Sequence, residues 1–274
     1  MEKAIIYQIF TRLFGNTNTT RKHNGTLTDN GCGKLNAFTP AVLRRIKELG
    51  ATHVWYTGVI RHATTTDYTR YGIPRQHPAV VKGNAGSPYA ITDYYDIDPD
   101  LATNVEKRMN EFESLVKRTH KAGLKMIIDF VPNHVARQYK STAKPKGIAD
   151  FGENDNTGMQ FSPQNNFYYC PEQSFAADID LYHGEELPYE EFPAKATGND
   201  CFGNRPGRND WYETVKLNYG VDYCDAGGVS THFSPTPDTW KKMLDILLFW
   251  AGKGVDAFRC DMAEMVPSAF WQWV

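Results

Sequence analysis

The run Val255-Asp256-Ala257-Phe258-Arg259-Cys260-Asp261 puts an arginine and an aspartate inside a segment whose apolar residues mark it as a strand. At the two-residue period of a strand, Ala257, Arg259 and Asp261 share one face, and Phe258 and Cys260 take the other. An isolated buried ion is very costly, so Arg259 and Asp261 must satisfy each other. That cost favours an active site over an incidental salt bridge at a strand end. A second polar group, Asp129-Phe130-Val131-Pro132-Asn133-His134, closes another apolar run. Asp129 shares a face with Ile127 and Val131, and Asn133-His134 emerge where strand becomes loop. If the two strands are parallel neighbours, both motifs lie on the same rim.

The elements needed for that arrangement recur along the chain as a helix, a glycine and a short apolar strand. The first copy runs from Thr39-Pro40 through Leu43, Ile46 and Leu49 to Gly50, with a strand over residues 53–56. The second starts at Thr103, with Glu106 three residues on as a capping box, and has Val105, Met109, Phe112, Leu115 and Val116 as its apolar face. It ends at Gly123, before the strand at 124–131. The third starts at Thr236-Pro237, passes Met243, Leu244, Leu247 and Leu248, and reaches Gly252 before the strand at 255–260. With an opening strand at residues 4–10 the order is β-α-β-α-β-α-β, which implies a parallel sheet.

Two architectures share that order, a doubly wound sheet and a (β/α)8 barrel of the TIM type. Polar residues follow the strand C-termini, and the loops there (11–38 and 59–102) are long, as on the catalytic face of a barrel. No glycine-rich phosphate loop follows the first strand, which counts against a dinucleotide fold. Residues 135–235, rich in Gly, Pro, Asn and aromatics, are too many for a structureless loop. They predict a small irregular insertion with short strands such as 214–217. The expected organisation is barrel over 1–134, insertion over 135–235, and barrel again over 236–274, with a further helix opening near Pro267-Ser268. Only about the first four β/α units of a barrel fit this length. Open edges on such a half barrel predict self-association.

Composition narrows the function classes. A net charge of -2 over 274 residues, without Lys/Arg blocks, gives no electrostatic footprint for nucleic acid or an anionic membrane. The longest apolar run, residues 243–251, is broken by Asp245 and falls short of the roughly 18 residues of a membrane span. Five cysteines, an odd number without metal-ligand spacing, argue against a disulfide framework. The apolar run at 4–10 is too short for a signal peptide and has no cleavage site, so a cytoplasmic location is expected, or a secreted or periplasmic one if a leader has been removed.

Taken together, the two rim motifs resemble the first and second signature regions of the α-amylase superfamily of retaining α-glucoside hydrolases and transglycosylases. Pro88-Tyr89-Ala90-Ile91-Thr92-Asp93-Tyr94 is similar to that family's Gly-Tyr-x-x-x-Asp-Tyr segment. The insertion stands where the family keeps its B domain. The resemblance implies that Asp261 is the nucleophile of a covalent glycosyl intermediate and that Arg259 holds it ionised and oriented. It implies that His134 bonds sugar hydroxyls and Tyr89 stacks on the same ring. Asp129 is expected to bond Arg259 or His134. Asn133 matches a residue that in many members ligates a structural calcium, and Asn218 is a second calcium candidate; no organic cofactor is implied.

This sequence departs from the family pattern in two places. Glu264-Met265 stand where many amylases carry Lys-His, so Glu264 takes the place of a sugar-binding lysine, and only the carbonyl of Met265 remains as a calcium ligand. The family's acid/base glutamate follows a fifth strand, which lies outside the four read here. The expectation is an α-glucan- or malto-oligosaccharide-active enzyme whose chain, taken alone, lacks its acid. The alternative is a non-catalytic α-glucan-binding or structural relative.

Overall fold

The computed structural model describes residues 3–182, 184 and 186–274. Its strands are β1 (Ile6–Phe10), β2 (His53–Thr57), β3 (Ile60–His62), β4 (Ile91–Ile97), β5 (Lys125–Phe130) and β6 (His134–Ala136). Then come β7 (Tyr169–Cys170), β8 (Ala194–Lys195), β9 (Thr214–Lys216), β10 (Val221–Asp222), β11 (Ser230–Thr231) and β12 (Ala257–Cys260). The α-helices are α1 (Leu27–Asn30), α2 (Pro40–Glu48), α3 (Arg108–Lys121), α4 (Asp238–Gly252) and α5 (Ser268–Trp273).

Strands β1, β2, β5 and β12 form one parallel sheet in that order, with α2, α3 and α4 in the successive connections. The alternation read from the sequence is therefore present, and the described residues form an open sheet of four strands rather than a closed barrel. One face packs on the helices. Val54, Tyr56, Met126, Ile128 and Phe130 are buried there with Leu43, Ile46, Phe112, Leu115, Met243, Ile246 and Trp250. Each such side chain contributes roughly 1.5–3 kcal/mol by leaving water. Trp250 also satisfies its indole N–H, which donates to the Tyr94 carbonyl at 2.8 Å. The opposite face carries Trp55, Ile127, Asp129 and Arg259, with Trp55 opposite Ile127 and Arg259 opposite Asp129 in register.

Helix α2 begins as expected, with the Thr39 hydroxyl accepting from the Val42 N–H. The Thr103/Glu106 capping box does not form. A 3-10 turn capped by Asn104 precedes α3, and the Glu111 carboxylate accepts from the N–H groups of Thr103 and Asn104 at 2.9 and 2.8 Å. A carboxylate one turn inside the helix reaches back to the same orphan donors, so the local pattern predicted the right chemistry with the wrong partner.

The segment 137–235 is built from two-stranded ladders, β7–β8 and β10–β11, and is tied to the strand ends by β6 pairing with β9. The expected strand near 214–217 is β9, while the 134/135 division falls inside β6. The hairpin of β3 and β4 supports this region. Arg61, buried, pairs with Asp93 and Asp96 at 2.9 Å each, and Asp93 accepts from the Ser141 hydroxyl and the Thr142 and Ala143 N–H groups. No helix among the described residues is long and apolar enough to cross a membrane.

Candidate active site

The rim of the sheet is assembled by register. Asp129, the last residue but one of β5, sits directly beside Arg259 of β12, and the Asp261 N–H donates to the Phe130 carbonyl at 2.8 Å, which holds Asp261 in line beyond the last residue of β12. Arg259 hydrogen-bonds Asp261, so the pair proposed by strand periodicity is formed. The guanidinium lies over two rings, with 5.3 Å to the Trp55 centroid and 5.5 Å to that of Tyr89. Cation–π contact on both orients the arginine while leaving its hydrogen bond for the carboxylate.

After Asp261 the backbone turns sharply. Met262 adopts φ +49°, a left-handed conformation that costs a side-chain-bearing residue of order 1–3 kcal/mol and persists only where its surroundings impose it. The turn faces Met262 towards Tyr89, His134 and Asp261 and sends Glu264 into an exposed 3-10 turn. Glu264 is consequently not among the residues that line the site.

Tyr89, His134 and Asp261 line one cavity of about 230 Å³ together with Lys82, Trp211, Glu213 and Met262. Three of the residues singled out from sequence thus converge from the loop before β4, from β6 and from the end of β12. Trp211 meets the His134 ring edge-on at 5.3 Å. Glu213, buried, accepts from Lys82 at 2.9 Å through one oxygen, and its other oxygen has no hydrogen-bond partner. The insertion supplies Trp211 and Glu213, and no local pattern marked them. Trp55 was legible in principle, since it shares the β2 face that opposes Ile127.

Asp129 does not bond Arg259 or His134. Its oxygens accept from the Gly58 N–H at 2.8 Å and the Trp55 indole N–H at 3.1 Å. Both donors come from the β2 side, Trp55 from within the strand and Gly58 from just past its end, and they satisfy the carboxylate. Burial nevertheless pushes Asp129 up to about 6, with those hydrogen bonds opposing. His134 goes the other way: burial, helped by the charge of Lys216, draws it down to about 3. The imidazole is therefore neutral in the working range of most enzymes, one nitrogen donating and one accepting.

The residues that the resemblance implied for calcium do not fit a metal ion. The Lys216 Nζ lies 2.6 Å from Asn133 Oδ1, 2.6 Å from Asp200 Oδ1 and 3.4 Å from the Met265 carbonyl. Asn218 is held between two parts of the insertion, its amide donating to the Ser162 carbonyl and its oxygen accepting from the Gly220 N–H. Among the described residues no group of three or more His, Cys, Asp or Glu could hold a metal.

The family model described as "Alpha amylase, catalytic domain" matches residues 8–272. Trehalose-6-phosphate hydrolase of Bacillus subtilis is 25% identical over 265 residues, covering 97% of this chain and 36% of that protein. Maltase A2 of Drosophila melanogaster is 24% identical over 270 residues, covering 95% of this chain and 35% of that protein. The chain therefore spans about a third of the length of the curated relatives it matches. An alpha-amylase from Lactobacillus plantarum superposes with a TM-score of 0.54 at 23% identity, over 98% of this chain and 40% of that one. That likeness identifies the fold as TIM-barrel-like.

Proposed function

Because the chain belongs to the alpha-amylase catalytic-domain family, we propose that it carries the nucleophile side of a retaining glycosidase acting on α-glucosidic bonds of starch-like glucans or malto-oligosaccharides. The observation that carries this reading is the one cavity in which Tyr89, His134 and Asp261 meet, with Arg259 hydrogen-bonded to the carboxylate. Relatives named as a maltase and a trehalose-6-phosphate hydrolase support a substrate with an α-glucosidic bond.

In this reading a glucosyl ring stacks on Tyr89 and shares hydrogen bonds with the neutral His134. An Asp261 oxygen attacks the anomeric carbon, the bond to the leaving oxygen breaks, and a glycosyl ester forms on Asp261. Water then cleaves that ester. Arg259, hydrogen-bonded to Asp261, orients the carboxylate for attack and stabilises the negative charge that returns to it when water displaces it from the anomeric carbon.

Retaining hydrolysis needs a second carboxyl group about 5–5.5 Å from the first to protonate the leaving oxygen and then activate water. Besides Asp261, the only described carboxylate lining the cavity is Glu213, and Lys82 engages it. The resemblance assigns the acid/base to a glutamate after a fifth strand, and the described residues form the four strands that precede it. In this reading the described residues, acting without that glutamate, would cleave an ordinary glucan more slowly by on the order of 10²–10⁴-fold.

A leaving group that needs no proton separates the two halves of this reading. The chain should release fluoride from α-maltosyl fluoride, lose that release in Asp261→Asn, and free reducing sugar from maltoheptaose more slowly by on the order of 10²–10⁴-fold. Fluoride release untouched by Asp261→Asn would remove the nucleophile assignment. Maltoheptaose binding without any fluoride release would favour the non-catalytic glucan-binding relative instead.

A further inference from the structure

Strands β6 and β9 pair antiparallel, with His134 directly opposite Lys216. The Lys216 side chain is buried, at 3% exposure, and its stem leads the ammonium past His134 to the junction of three chain segments. Asn133 precedes β6, Asp200 lies in the insertion, and Met265 lies in the turn beyond β12. Each offers one oxygen to Nζ, at 2.6, 2.6 and 3.4 Å respectively. An ammonium has three N–H donors and no acceptor, so three oxygens exhaust it.

Further contacts hold this junction together. Asn133 uses its oxygen on Lys216 and its amide on the Gly198 carbonyl at 2.7 Å, two residues from Asp200. Gly198 packs so closely that a Cβ there would stand 2.6 Å from Thr214 Oγ1 and 2.8 Å from His134 Cβ. A calcium ion would need six to eight oxygens at about 2.3–2.6 Å. Here an ammonium already fills the space between the oxygens, and Asp200 is the one carboxylate among its partners. A divalent ion beside that charge would meet direct repulsion.

We propose that the Lys216 ammonium is the resident cation of this junction and stands in place of a metal ion, joining the insertion to the ends of β5 and β12. The inference goes beyond the glucan reading and does not depend on it, because unfolding alone reads it out. It is a substitution of one kind of cation for another. A covalently attached charge requires no free ion and is not removed by a chelator.

The test compares thermal unfolding of the unmodified chain and of Lys216→Met in chelator and in millimolar calcium, with calorimetric titration of calcium into the unmodified chain. The unmodified chain should melt at one temperature in both buffers and give no binding heat. Lys216→Met leaves the partly exposed Asp200 carboxylate without its cation and the buried Asn133 oxygen without a donor, and should melt roughly 2–10 °C lower. A chelator-induced loss of stability in the unmodified chain, or saturable calcium heat, would overturn the proposal even if Lys216→Met failed to fold. A Lys216→Met variant that melts with the unmodified chain would overturn it as well.

Discussion

Burial acts in opposite senses on two groups near the rim, raising the Asp129 carboxyl to about 6 and lowering the His134 imidazole to about 3. The consequences for stability also oppose. The folded state holds a proton on Asp129 that the unfolded chain has already lost, so this group weakens the fold as pH rises from about 4 to 6. For His134 the unfolded chain takes up a proton that the folded state refuses. Its contribution to stability is complete above the unfolded value of about 6.5 and is lost as pH falls towards 3. In a pH profile of the unmodified chain the two slopes partly cancel between about pH 4 and 6. Comparison with His134→Asn separates them: the stability advantage of the unmodified protein over the variant should shrink by on the order of 1 kcal/mol per pH unit between 6.5 and 4. Urea midpoints taken across that range provide the check, and a pH-independent difference would mean that His134 titrates normally.

At the scale of elements, the site depends on how tightly β6, β9 and the loop around Gly198 are pressed together. Gly198→Ala would force a methyl against Thr214 and His134, both anchored in paired strands, and should cost about 1–3 kcal/mol. Gly252 offers the opposite case. It is the last residue of α4, its φ is ordinary, and nothing stands within 4 Å of a Cβ there. Gly252→Ala should stabilise the chain by about 0.5–1 kcal/mol through helix propensity alone. Denaturant unfolding of the two variants side by side tests whether close packing or glycine content is what matters; equal shifts would refute the packing argument. Both glycines are plain in the sequence, yet only the approach of distant segments tells them apart.

For the whole molecule, the four-strand order leaves β1 and β12 as edges. Along β1 the side chains of Ile6, Tyr7 and Phe10 are exposed, with Ile6 at 54%. Unpaired backbone donors and acceptors flanked by apolar side chains invite another strand. We expect the chain to self-associate at tens of micromolar, and Ile6→Lys to reduce that association by placing a charge on the edge. Sedimentation velocity distinguishes the outcomes, since a single monomeric species across that range would exclude edge pairing.

The sequence by itself determined the alternation of strands and helices, the parallel order, and the pairing of Arg259 with Asp261. Those features follow from periods of two and 3.6 residues and from side chains close along the chain, so local spacing suffices. The resemblance carried by the rim motifs extended this to Tyr89 and His134, which do reach the cavity with Asp261. Tertiary structure alone decided the partners of Asp129, the outward course of Glu264, and the contribution of Trp211 and Glu213 from the insertion. It also decided the cation at the junction: Lys216 and Asn133 are 83 residues apart, and nothing near either one marks the other. Buried charges must find compensation wherever the fold brings it, and that choice is made by chain segments that meet only after the sheet and the insertion have packed.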